Sequence, residues 1–222
     1  MSFLFYVQPP LQMFFKTLGP QLGRPTLSVA GWLTSKLLTW RNRVLEENAV
    51  KLCGISPDDT VLELGHGPGL GLEVAAQLLT GPKGKLLGID YSEYMHQVSS
   101  KRMQELIAAG KVTLHHSDVA SMPIADSSVD KVFHCNCYYF WPDLKRGTSE
   151  IHRVMKPCGL MVTTLRLESL VQIAPKNVFT GESWRPEDYM QALEATGFSN
   201  VRMEDRTDKQ ITFQVIFATA SK

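Results

Sequence analysis

From residue 31 to residue 53 the apolar positions Trp32, Leu33, Leu37, Leu38, Val44, Leu45, Ala49 and Leu52 recur in steps of three and four. That is the period of a helix, and Gly54 followed by Ser56-Pro57-Asp58-Asp59 ends it in a turn. Beyond the turn the pattern changes to short apolar runs separated by helical stretches. Strands are predicted at 60–64, 85–89, 112–115, 129–135 and 159–166, and helices at 70–79, 93–109 and 143–155. Ser92 stands where a helix N-cap is needed, and Gly110 where the chain leaves that helix. A helix at 186–196 precedes Gly197, and two β-rich runs, 200–204 and 211–219, close the chain as an antiparallel hairpin. Strands alternating with helices predict an α/β fold, a Rossmann-like sheet with helices on both faces.

One junction carries candidate chemistry. The apolar run Val61-Leu62-Glu63-Leu64 leads into Gly65-His66-Gly67-Pro68-Gly69-Leu70-Gly71, and Asp90 ends the next apolar run. Glycines at a strand-to-helix turn allow unusual backbone angles and close approach of a ligand. A carboxylate at the end of the second strand can accept hydrogen bonds from both hydroxyls of a ribose, so the junction is suited to a nucleoside. A dinucleotide loop requires G-x-G-x-x-G, but Leu70, Leu72 and Val74 deny every frame its third glycine. No Lys-Ser or Lys-Thr follows the loop, which removes the phosphate-cradling P-loop.

Length and composition narrow the picture. The 222 residues suit one domain, read as an N-terminal cap and helix over 1–53 and a cofactor-binding core over 54–222. Twenty-three Lys and Arg against 22 Asp and Glu leave no basic block for a phosphate backbone, so nucleic acid is not the expected partner. Cys53, Cys135, Cys137 and Cys158 lack zinc-site spacing and disulfide density, which implies reduced thiols, no metal and a cytoplasmic setting. The start, Met1 to Val7, is too short an apolar run to span a bilayer, while Phe14-Phe15 keeps a peripheral membrane contact open.

The pattern Glu63-x-Gly65-x-Gly67-x-Gly69 resembles the cofactor loop of class I S-adenosylmethionine-dependent methyltransferases. The resemblance covers about residues 40–219. The run from Val112 to Pro123 is similar to the family's third strand and adenine loop. Residues 126–133 are similar to its D-x-S-F-D entry to strand four, with Val129 for Phe, and 151–160 to its R-V-L-K-P-G-G run, with Cys158 for a glycine. Within the class the chain resembles the methyltransferase type 11 group, whose members are small-molecule enzymes akin to the quinone-biosynthesis methyltransferases. The resemblance implies a seven-stranded sheet whose last strand is antiparallel, S-adenosylmethionine as cofactor and a small-molecule acceptor. By the same resemblance Gly65, His66, Gly67 and Gly69 line the cofactor, Asp90 and Tyr91 meet its ribose, and Asp118 and the Val119 N–H meet its adenine. Asn136 lies near its methionine part.

Several residues carry two readings at this stage. Glu63 either organises the loop and the cofactor's amino group or pairs with a nearby cation. Asp118 either meets adenine or caps a turn. His66 either faces the site or is solvated. In Tyr138-Tyr139-Phe140-Trp141 two rings are expected to fill the core, with Tyr139 the leading contact to cofactor or acceptor. Tyr139 and His66 are the catalytic candidates, no general base being required where the acceptor has no proton to lose. Alternation along a strand puts Cys135 and Cys137 on one face and His134 on the other. The rival functions are a non-catalytic binding module of this fold, a methyltransferase acting on protein and an NAD(P)-dependent oxidoreductase; the glycine spacing disfavours the last.

Overall fold

The computed structural model describes residues 21–222 apart from 177, 180 and 182. The part of the expected cap before residue 21, with Phe14 and Phe15, lies outside the described residues.

Helix α1 (Val29–Cys53) starts two residues before the periodic pattern because Ser28 caps it, its Oγ accepting from the Gly31 N–H at 3.0 Å. It ends where Gly54 turns left-handed. Seven strands then form one sheet: β1 (Thr60–Leu64), β2 (Lys85–Asp90), β3 (Val112–His116), β4 (Val129–Cys135), β5 (Met155–Leu165), β6 (Phe198–Asp208) and β7 (Ile211–Ala220). Their order is β3-β2-β1-β4-β5-β7-β6. The pairs β1–β2, β1–β4, β2–β3 and β4–β5 are parallel, and β7 is antiparallel to both β5 and β6. The connecting helices are α2 (Leu70–Leu78), α3 (Glu93–Arg102), α4 (Gln104–Ala108), α5 (Leu144–Val154), α6 (Leu167–Ile173) and α7 (Pro186–Ala195). Two apolar clusters cover the sheet's two faces. One joins α1 and α2 through Leu45, Ala49, Leu72 and Phe133, and the other joins α5 and α7 through Ile151, Leu193 and Tyr189. Chain order reverses between β1 and β4, so the carboxyl ends of these strands open a crevice there.

Three expectations need correction. The single helix over 93–109 is two, because buried Met103 leaves helical ψ between α3 and α4. The strand expected at 159–166 begins at Met155, and Cys158 sits there with φ +62°. A glycine is the ordinary occupant of that conformation, which explains the glycine in the resembling motif. Finally, β4 stops at Cys135 and Asn136 turns left-handed at φ +50°, so strand alternation does not extend to Cys137. Cys137 and His134 therefore lie together, Sγ to Nδ1 3.3 Å, and not on opposite faces.

Candidate functional site

The site is assembled at the carboxyl ends of β1, β2, β3 and β4. Gly65, Gly67 and Gly69 all have positive φ, which turns the chain from β1 into α2 with the loop's N–H groups directed toward β2. The Gly65 N–H donates to the Ile89 carbonyl at 2.7 Å and the Gly67 N–H to Asp90 Oδ2 at 2.8 Å. The other carboxylate oxygen of Asp90 accepts from the Ser92 N–H at 2.7 Å. Asp90 is thus the clamp of the glycine loop as well as a carboxylate at the crevice, and each oxygen retains a lone pair. A Cβ placed on Gly67 would have Gly65 O, 4.0 Å away, as its nearest contact, so the loop leaves an open cradle on that side. Gly71 differs: a Cβ there would lie 2.5 Å from Glu63 Oε1 and 2.7 Å from the Phe133 ring.

Glu63 is buried and turned under the N-terminus of α2, where it accepts from the Leu72 N–H. Its partner is no cation, which corrects the ion-pair reading. It is the carboxyl of Glu46, buried on α1 and also bonded to Cys135. Burial pushes Glu46 up to about 7 from an ordinary 4.5, and burial together with the charge of Glu46 holds Glu63 well above the carboxylate range. Oε2 of each is buried without a hydrogen-bond partner, a cost that a proton retained by the pair reduces. Sequence reading passed over Glu46, although a carboxylate among Val44, Leu45, Ala49 and Val50 is out of place in a buried stripe.

His66 is buried, not solvated. Its Nδ1 faces the Gly67 carbonyl at 3.0 Å, and its ring packs by Gly88 on β2, 6.4 Å from the ring of His96. Burial lowers its pKa, so it is neutral near pH 7. Asp118 lies in the loop after β3 and accepts from the Ala120 N–H at 2.9 Å, which is the turn-capping arrangement. Val119 beside it points into the core. Asn136 bonds across to Asn42 of α1 at 3.2 Å.

Tyr138, Tyr139 and Trp141 are all buried, one more ring than expected in the core. Tyr138 and Tyr139 belong to a 3-10 turn, Tyr138–Phe140. Tyr139 packs on Phe140 and Phe179 with ring centroids 4.9 and 4.8 Å away, and burial drives its phenol pKa well up. Below it His134 Nε2 meets Tyr189 Oη and Thr163 Oγ1, both at 2.8 Å, and burial lowers this imidazole to about 3. His134 is therefore a satisfied core histidine.

The segment ahead of α1, within the region read as a cap, lies across the crevice. Gly23 sits against the Phe140 ring, Arg24 lies over the exposed Tyr91 ring at 4.4 Å, and the Pro25 carbonyl accepts from Ser92 Oγ. This strap joins the ends of β4 and β2.

The residues fit a nucleoside. The Gly67 cradle is open where a Cβ would fill it, Asp90 keeps acceptor capacity beside it, and Tyr91 and Asp118 follow the carboxyl ends of β2 and β3.

Comparison with known proteins agrees. Residues 62–163 match the family described as methyltransferase domain. A Bacillus subtilis protein named uncharacterized methyltransferase YdaC is 30% identical over 62% of this chain and 71% of its own length. The 2-phytyl-1,4-naphtoquinone methyltransferase of a Nostoc species is 29% identical over 53% of this chain, which spans 51% of that protein. Among solved structures, a chain in the complex of the Haloferax volcanii Trm112 methyltransferase activator with a putative methyltransferase shares the fold. Its TM-score is 0.72 at 19% identity, covering 85% of this chain and 94% of that one. With the seven-stranded order, the antiparallel β7 and the cradle between β1 and β2, the chain belongs to the class I S-adenosylmethionine-dependent methyltransferases, in the methyltransferase type 11 group.

Proposed function

We propose that this chain moves a methyl group from S-adenosylmethionine to a small, largely apolar acceptor. The observation that carries the acceptor reading is the enclosure of the crevice by the strap and by Phe140 and Phe179, with Trp184 behind them. An enclosure by apolar rings suits a small molecule better than a protein loop or a nucleic acid strand. The quinone methyltransferase among the relatives supports the same class of acceptor. Within this reading the chain works as one unit, with the residues up to Cys53 as its cap and the rest as the cofactor-binding core. The free thiols favour a cytoplasmic setting, and no helix among the described residues is long and apolar enough to cross a membrane.

The residues that hold the cofactor are Gly65, Gly67 and Gly69 of the loop, Asp90 and Tyr91 at the ribose, Asp118 and the Val119 N–H at the adenine, and Asn136 near the methionine end. Bound there, the cofactor supplies a methyl group already activated on a sulfonium. The chain's part is to align the acceptor, which contributes up to about 7–11 kcal/mol in favourable systems, and to keep water out. Glu63 and Glu46 shape the loop from beneath. Neither Tyr139 nor His66 is given a proton to move: the phenol is held protonated by burial, and the imidazole faces β2. Their roles are packing of the enclosure and support of the loop.

The test is a panel of quinols, prenyl alcohols and aromatic amines incubated with the enzyme and S-adenosylmethionine, with mass detection of a one-methyl gain. Turnover within that panel supports the reading. No turnover, together with methylation of added protein, would replace it with the protein-directed alternative.

A further inference from the structure

The first half of α1 is amphipathic in the inverted sense. Among the described side chains, its buried positions are Gly31, Thr34 and Ser35, with Thr34 Oγ1 satisfied by the Ala30 carbonyl at 2.8 Å. Its outward positions are apolar: Val29 is 78% exposed, Trp32 51%, Leu33 52%, Leu37 37% and Trp40 79%. The spacing i, i+3, i+4, i+8, i+11 places them on one face. Leu27, just ahead of the Ser28 cap, continues that face at 79% exposure. With Val29, Trp32 and Tyr94 it lines a cleft of about 350 Å³. A stripe of this extent, left in water on an otherwise well-buried fold, marks an interaction surface.

Charge identifies what it meets. The first 45 residues contain Lys16, Arg24, Lys36, Arg41 and Arg43 and not one Asp or Glu, so all 22 carboxylates lie later in the chain. Arg24, Lys36, Arg41 and Arg43 are exposed, and Lys36 and Arg43 flank Trp40 along the apolar stripe itself. Tryptophan and leucine bordered by cations, with no acidic residue among them, is the chemistry of a helix that lies in the headgroup layer of an anionic bilayer.

We infer that the outer face of the first half of α1, from Leu27 to Arg43, docks this protein on an anionic lipid surface. Docking there sets the strap and the crevice mouth next to the headgroups, where an apolar acceptor would be dissolved. The inference goes beyond the proposed reaction and stands without it, since its test contains no acceptor.

The test is co-sedimentation of the full chain with vesicles of phosphatidylcholine alone and of phosphatidylcholine with phosphatidylglycerol, at low and high salt. Light scattering and calorimetry with S-adenosylhomocysteine accompany it. The wild type is expected to sediment with the anionic vesicles and to be released by salt. Leu33→Glu with Trp40→Glu should lower partitioning at least about tenfold, and Lys36→Ala about fivefold, the size of one interfacial charge. Leu78→Glu, an exposed apolar position on α2, should change nothing, and all variants should keep wild-type affinity for S-adenosylhomocysteine. A wild type that stays in the supernatant with anionic vesicles overturns the inference. So does a dimer in light scattering that Leu33→Glu with Trp40→Glu dissolves while vesicle binding is unchanged, since the face would then be a contact between copies.

Discussion

The carboxyl groups of Glu46 on α1 and Glu63 on β1 share a hydrogen bond in a buried position under the glycine loop. Two carboxylates that close cannot both ionise cheaply, so at neutral pH the pair retains a proton.

That relationship makes stability depend on pH with a definite sign. The folded Glu46 titrates at about 7 against an ordinary 4.5, so between these values the folded state binds the extra proton. Its stabilising effect is complete below pH 4.5 and is lost as pH rises through 7, a change of order 3 kcal/mol. Glu46→Gln keeps the hydrogen bond without the titration. Urea unfolding at a series of pH values should show the variant gaining on the wild type as pH rises from 4.5 through 7. A difference that does not vary with pH contradicts the shared proton.

Asp90 binds two backbone N–H groups, at Gly67 and Ser92, in addition to its proposed ribose contact. Asp90→Ala should therefore weaken S-adenosylhomocysteine binding and also lower stability, by about 1–3 kcal/mol for the charged hydrogen bonds lost. Calorimetry and urea unfolding on one preparation read both. Loss of binding at full stability would mean the loop does not depend on the clamp.

Gly67 and Gly71 should fail in different ways. Gly71→Ala places a methyl against Glu63 and Phe133 and should cost about 1–3 kcal/mol of stability by overpacking. Gly67→Val fills the open cradle at φ +51° and should abolish S-adenosylhomocysteine binding with a smaller loss of stability. Normal binding by Gly67→Val would remove the cofactor from that loop.

Cys158 holds φ +62° on β5, a conformation that costs a side-chain-bearing residue about 1 kcal/mol. Cys158→Gly should raise the urea midpoint by a matching amount without touching catalysis. An unchanged or lower midpoint would show that the strain is absent.

The strand and helix order was legible because strands buried on both faces read as short apolar runs, as at 60–64, while a helix imposes a period of 3.6, as at 31–53. The loop was legible because Gly65, Gly67 and Gly69 must bear positive φ, and Asp90 because it ends an apolar run beside them. What escaped depended on three-dimensional placement. Glu46 lies 17 residues before Glu63, and only packing α1 on β1 makes them partners. The contact of His134 with Cys137 depends on one backbone angle at Asn136, which strand alternation cannot foresee. The strap at Gly23, Arg24 and Pro25 has no period at all, since it is held by Phe140, Tyr91 and Ser92.

The most direct measurement of the account follows the methyl group itself. The enzyme, S-adenosylmethionine labelled in the methyl carbon and a cell extract are incubated together, and label is counted in the small-molecule, protein and RNA fractions. The account predicts label in the small-molecule fraction, extractable into organic solvent, with none gained when Gly67→Val replaces the wild type. Label accumulating instead on protein or RNA, under the same dependence on Gly67, would contradict it.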